Sequence, residues 1–163
     1  NQNAESDYIV KDDYFGDIPA DRLLVKDGII YFKGDGKQRG KIGVPPQRAL
    51  PVIGSYDAIN KVLTVLKCEI PDGATDYVNS AWEMQEFPYK GDAINSYNDG
   101  PLEDGSQMGP FYELETSSPA LQLNAGESAT YKQITLHFEG SEKDLNAVCQ
   151  HWKSHPKRYY PKH

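Results

Sequence analysis

Apolar and polar positions alternate along much of this chain with the period of two that a β-strand imposes, and one stretch near the end repeats with the period of a helix. Arg22–Lys33 (RLLVKDGIIYFK) reads as a β-hairpin, because two apolar runs flank Asp27-Gly28, a pair suited to a tight two-residue turn. Ile42–Val44, Leu50–Tyr56, Lys61–Ile70, Asp76–Phe87, Phe111–Ser117, Ala120–Leu123 and Ser128–Phe138 read as further strands, with turns at Asp57–Asn60 and Pro71-Asp72-Gly73. In Asp76–Phe87 the alternation puts Trp82, Met84 and Glu86 on one face. In Ser128–Phe138, Ile134, Leu136 and Phe138 share one face and Tyr131, Gln133, Thr135 and His137 the other, and its length suits a central strand. Leu145, Val148, Cys149 and Trp152 follow helical spacing and predict a helix that docks on a sheet. Ser141 caps it, Glu142 and Asp144 favour its first turn, and Pro156 stops it. The predicted fold is all-β, with about nine or ten strands in two stacked sheets and one C-terminal helix.

Two segments break the pattern. Gly34–Gly43 is rich in glycine but lacks the spacing of a phosphate-binding loop, and no helix pattern follows it. It reads as a flexible loop entering a short strand. Pro88–Pro110 is the longest irregular segment. It carries Tyr89, Asp92, Asn95, Tyr97, Asn98 and Asp99, which hydrogen-bond and stack, so it reads as an ordered binding loop.

The length of 163 residues fits one ordinary domain. Hydrophobic residues make up 38% and the mean hydropathy is -0.67, so the core is modest. Tyrosine, with 11 copies against 5 Phe and 2 Trp, suits half-buried sheets and also stacks on the apolar faces of sugars. A net charge of -7 argues against nucleic acid as a partner, since phosphate binding needs a basic patch. The basic cluster Lys153, Lys157, Arg158 and Lys162 sits in a Pro-containing tail that reads as solvated. No apolar run is long enough to span a membrane. No signal peptide is visible, and the polar start NQNAESD reads as a trimmed or mature beginning. Cys68 and Cys149 fit either one disulfide or two free buried thiols, and no Cys or His spacing suggests zinc.

Candidate chemistry centres on Glu113 and Glu115, which share one strand face about 7 Å apart. In one pocket the two carboxylates would drive their pKa values apart and supply an acid and a base; on an open face both are solvated. His137, on the polar face of the last strand, is either a general acid or a sheet-surface histidine. His151, His155 and His163 look incidental. Asp99, Glu103 and Asp104 offer oxygen ligands for calcium, without EF-hand spacing. No nucleophile elbow is present.

The stretch FYELETSSPALQLNAGESATYKQITLHFEG resembles the C-terminal signature of the galactose mutarotase (aldose 1-epimerase) superfamily. The matching pieces are Leu114-Glu115-Thr116, the corner Ser118-Pro119, the turn Leu123-Asn124-Ala125-Gly126-Glu127, and the strand Tyr131–Phe138. With WEMQEFPYKGDAINSYNDGP added, residues 41–140 look closest to an uncharacterised domain family of Bacteroidetes-type polysaccharide degraders. The resemblance implies a β-supersandwich, and the short chain implies part of one: a C-terminal half whose open sheet face an N-terminal half or a second chain covers. It further implies a periplasmic, cell-surface or secreted location and a carbohydrate partner. Glu115 matches the mutarotase base, while the acid histidine of that family lies in upstream sequence that this chain lacks. His137 does not match that position, and Asp99 would have to replace it. The resemblance therefore implies either sugar binding or an aldose 1-epimerase-like isomerase, with no cofactor. Glu113, Gln85, Asp92, Asn95, Tyr97, Asn98, Asp99 and Ser117 would surround the sugar, on Trp82 or Tyr97 as its platform. The rival from another class is a non-catalytic accessory sandwich, with calcium as a stabiliser.

Overall fold

A computed structural model describes residues 9–156. The polar start, and Lys157, Arg158, Lys162 and His163 of the basic tail, lie outside the described residues. Eight strands and one helix follow in order: β1 Leu23–Lys26, β2 Ile29–Phe32, β3 Gly40–Val44, β4 Val52–Asp57, β5 Val62–Cys68, β6 Ile94–Asn98, β7 Tyr112–Thr116, β8 Gln133–Glu139 and α1 Glu142–Ser154. The all-β class with one terminal helix holds. The strands form three antiparallel sheets, β1-β2, β3-β6-β7 and β4-β5-β8, in place of the two larger sheets expected. The chain divides into two compact units. One takes residues 9–49 and 72–122; the other takes residues 50–71 and 123–156.

In the first unit the hairpin forms as read. Asp27 and Gly28 take φ of 52° and 72°, the paired positive values that a tight turn between twisted strands requires. Arg22 anchors its base. The buried guanidinium donates to Asp35 at 2.5 Å and 3.2 Å and to the Lys33 carbonyl at 3.1 Å. The Arg22 hydrogen bond, outweighing partial desolvation, holds the Asp35 carboxyl down at about 2. A depressed folded-state pKa adds stability that is present above the unfolded carboxylate value of about 3.9 and lost as pH falls through about 2. Arg22→Met is therefore expected to flatten the fall in melting temperature between pH 4 and pH 2, checked by thermal denaturation across that window. An equally steep acid limb in the variant would contradict the assignment.

The central strand of this unit is β6, a strand that the sequence pattern hid inside the supposed loop Pro88–Pro110. All five of its residues are buried. Asp76–Phe87, read as a strand, instead makes one isolated bridge, Tyr77 to Lys90. Its backbone is captured locally. The Gln85 amide donates to the carbonyls of Asn79 at 3.0 Å and Ala81 at 2.7 Å, and Asn79 Oδ1 accepts from the Ala81 amide. Such side-chain bonds compete with a strand ladder. The expected strand Ala120–Leu123 is likewise absent.

In the second unit β5 lies between β4 and β8, so the long last strand is an edge strand and not the central one. The face read for β8 is right, with Ile134, Leu136 and Phe138 half-buried and their neighbours exposed. Ser141 caps α1, accepting from the Asp144 amide. Leu145 and Trp152 of the helix join Leu63 and Val65 of β5 in the core. Cys68 is buried, Cys149 is exposed, and both thiols are free. Among the described residues no helix is long and apolar enough to cross a membrane.

Candidate functional site

The site grows from the alternation of β6. Asn95 and Tyr97 point to one face, and the register sets Lys41 and Glu113 on either side of Tyr97 and Gly43 and Glu115 on either side of Asn95. The carboxylate pair thus shares a face with a tyrosine, an asparagine and a lysine. Lys11 pairs with Gly43 along the free edge of β3, which brings Tyr14 and Phe15 to the same neighbourhood.

A polar network fills part of that face. The Tyr14 hydroxyl donates to Asp92 Oδ2 at 2.5 Å, and the Asn95 amide donates to the Tyr14 oxygen at 3.3 Å and the Ile42 carbonyl at 3.2 Å. Burial first, and the adjacent Asp92 carboxylate second, push the Tyr14 hydroxyl far above its ordinary range, so it stays a donor. Gly43 makes the network fit. A Cβ there would lie 2.0 Å from Asp92 Oδ2 and 2.8 Å from Asn95 Nδ2.

Lys41 Nζ meets Glu115 Oε2 at 3.0 Å, with 6% of the lysine side chain and 29% of the glutamate exposed. The second glutamate oxygen, Oε1, is buried without a hydrogen-bond partner. Glu113 stays exposed beside Tyr97, so the two carboxylates do not close on each other in a shared dry pocket.

Beside this network lies an aromatic cleft of about 370 Å³, lined by Arg39, Trp82, Tyr97, Asp99 and the loop residues Gly100, Leu102, Ser106, Gln107 and Met108. The Tyr97 ring stands 6.4 Å from that of Trp82, 5.9 Å from Phe15 and 6.0 Å from Phe111. The Arg39 guanidinium lies 3.9 Å from the Phe15 ring centre and 5.8 Å from that of Trp82. Trp82 remains 69% exposed, a large apolar surface held by neighbours yet open to solvent. Asp99 is buried behind it. Its carboxylate accepts from the Tyr97 hydroxyl at 2.6 Å and the Gly109 amide at 2.9 Å. Desolvation pushes Asp99 up, but these bonds, with others from Gly100 and Gln107, outweigh it and leave its pKa lowered. Burial, then the bond to Asp99, raises Tyr97. The pair therefore stays a neutral donor on an anionic acceptor, and it fixes the ring that floors the cleft.

Of the residues expected around a ligand, Trp82, Tyr97 and Asp99 come together in this cleft. Asp92, Asn95, Glu113 and Glu115 share or adjoin the neighbouring sheet face. Asn98 sits on the opposite face, where it accepts from the Gly36 amide at 2.9 Å and donates to the Gln38 carbonyl at 2.8 Å. Those bonds tie the Gly-rich segment to β6. Gln85 is folded back on its own backbone, and Ser117 is half-buried, its amide bonded to Ala93. His137 belongs to the other unit, where its Nδ1 lies 3.0 Å from Thr64 Oγ1. Asp104, one of the suggested calcium ligands, accepts from Ser106 through both amide and hydroxyl. Among the described residues no group of three or more His, Cys, Asp or Glu side chains is placed to hold a metal ion.

Sequence reasoning missed Arg39, Lys41, Tyr14, Phe15 and Gln107. The one available signal was the adjacent Tyr14-Phe15 pair set among Asp12, Asp13 and Asp17.

A family model matches residues 1–154, and its description is a family of unknown function (DUF6786). No curated protein matches the chain, and no solved structure does.

Proposed function

For a chain that belongs to this family of unknown function, we propose that the Trp82–Tyr97 cleft binds carbohydrate. The observation that carries the reading is the exposed Trp82 face beside a buried, oriented Tyr97–Asp99 pair, in a volume of about 370 Å³. Small-molecule sites span roughly 300–1,000 Å³ and combine an apolar wall with a few fixed polar groups. A pyranose has an apolar ring face to stack on an indole and hydroxyls to meet the polar rim. The likeness of Phe111–Gly140 to the mutarotase signature supports the same ligand class.

Binding without turnover is the better-supported form. An epimerase of the mutarotase kind needs a free base and a histidine acid. Glu115, the matching base, is tied to Lys41 at 3.0 Å. The unit that holds it contains no histidine, since the four histidines stand at 137, 151, 155 and 163. Calorimetric titration with a panel of hexoses and their oligomers tests the proposal. Trp82→Ala is expected to weaken affinity about tenfold or more, the scale of 1.4 kcal/mol for one stacked ring. Heat of binding unchanged by the substitution, or absent for every sugar, would leave a non-catalytic accessory module as the reading. Anomer exchange followed by NMR, if it occurs and disappears in Glu115→Gln, would restore the isomerase.

A further inference from the structure

Resting on the carbohydrate reading, we infer that the cleft selects sugars bearing an anionic substituent, with Arg39 as the residue that recognises it. The protein as a whole is acidic, at -7, yet the charge left available in this cleft is positive. Of its two charged lining residues, Asp99 is 2% exposed and its oxygens are taken up by Tyr97 and Gly109. Arg39 is half-buried, and among the described residues no carboxylate lies within ion-pair distance of it. Its guanidinium lies over the Phe15 ring and near Trp82.

That arrangement differs from the other partly buried cations of the same unit. Arg22 is neutralised by Asp35, and Lys41 by Glu115. A guanidinium carries five donors in a planar fork suited to carboxylate, phosphate or sulfate, and stacking on aromatic rings fixes its plane before a ligand arrives. Part-withdrawal from water also raises the value of an opposite charge brought to it. Ser106 and Gln107 also line the cleft; their donors are bonded to Asp104 and to the Gly36 and Gly109 carbonyls, which leaves their oxygens to accept from ring hydroxyls. The predicted ligand therefore has an apolar pyranose face for Trp82 and an anion at its edge for Arg39. A uronic acid, a sugar phosphate and a sugar sulfate all meet that description.

The test compares galactose with galacturonic acid, galactose 6-phosphate and galactose 6-sulfate by calorimetry at low and high salt, and repeats the set with glucose and its acidic counterparts. One or more acidic members should bind about tenfold tighter than the neutral sugar, with the preference shrinking as salt rises. The tightest of them identifies the anion. In Arg39→Gln the acidic-to-neutral affinity ratio should collapse towards one, while Arg39→Lys should keep part of it because a point charge replaces the fork. Trp82→Ala should weaken acidic and neutral sugars alike. Equal affinity for acidic and neutral sugars in the unsubstituted protein would overturn the selectivity and leave sugar binding standing. A ratio that survives Arg39→Gln would overturn the role of Arg39. Failure of every sugar, neutral and acidic, would overturn the carbohydrate reading beneath it.

Discussion

Gly43→Ala is expected to lower the melting temperature by roughly 6–12 °C, from a loss of about 3 kcal/mol. Glycine is required here because of what stands over it and not because of its backbone angles. The added methyl would sit 2.0 Å from Asp92 Oδ2, well inside any allowed contact. Asp92 is only 1% exposed and bonded to Tyr14, and Asn95, the second neighbour, is bonded to Tyr14 and to Ile42. Neither can swing aside without leaving a buried polar group unsatisfied, which by itself costs about 1–3 kcal/mol. Scanning calorimetry on the two proteins measures the difference. A melting temperature within about 2 °C of the parent would mean that the Tyr14–Asp92–Asn95 network is not packed against β3.

The second large effect concerns the Lys41–Glu115 pair. Removing one member of a buried ion pair strands the other, at about 3–5 kcal/mol where both are fully enclosed. Glu115 is 29% exposed, so Lys41→Met is expected to cost less, about 2 kcal/mol. The glutamate would then hold two oxygens without partners, because Oε1 already lacks one. Replacing both residues, as Lys41→Met with Glu115→Leu, should recover most of the loss, since matched apolar groups replace a buried pair at little cost. Urea denaturation of the single and double variants checks this. A double variant as unstable as Lys41→Met alone would show that the lysine acts through something other than its glutamate.

The hairpin, the last strand and the helix were legible because each declares itself locally. Asp27-Gly28 forces its turn, and the half-buried faces of β8 and α1 show up as periods of two and of 3.6. What stayed hidden was β6. Its sequence, INSYN, is mostly polar, and a strand buried on both faces normally reads as an apolar run. Here specific bonds replace that run. Asn95 reaches Ile42 and Tyr14, Asn98 reaches Gly36 and Gln38, and Ser96 Oγ donates to the Glu113 carbonyl at 2.8 Å. Buried polar side chains are tolerable once satisfied, and the partners that satisfy them lie far along the chain, where no local window sees them. The opposite error arose at Asp76–Phe87. There the period of two was genuine, but Gln85 and Asn79 drew the backbone into a local fold. The same long-range logic explains the site. Trp82, Tyr97 and Asp99 were recognisable by residue type, whereas Arg39 gained its meaning only from the rings folded around it.

The most direct test of the cleft as a sugar site is collisional quenching of tryptophan emission by acrylamide. Trp82 is 69% exposed while Trp152 is 6% exposed, so the quencher reports chiefly on the cleft. With neutral and acidic hexoses and their oligomers added in turn, at least one sugar should shield Trp82, lowering the quenching constant along a saturable curve that is lost in Trp82→Ala. A quenching constant that no sugar changes would contradict the account.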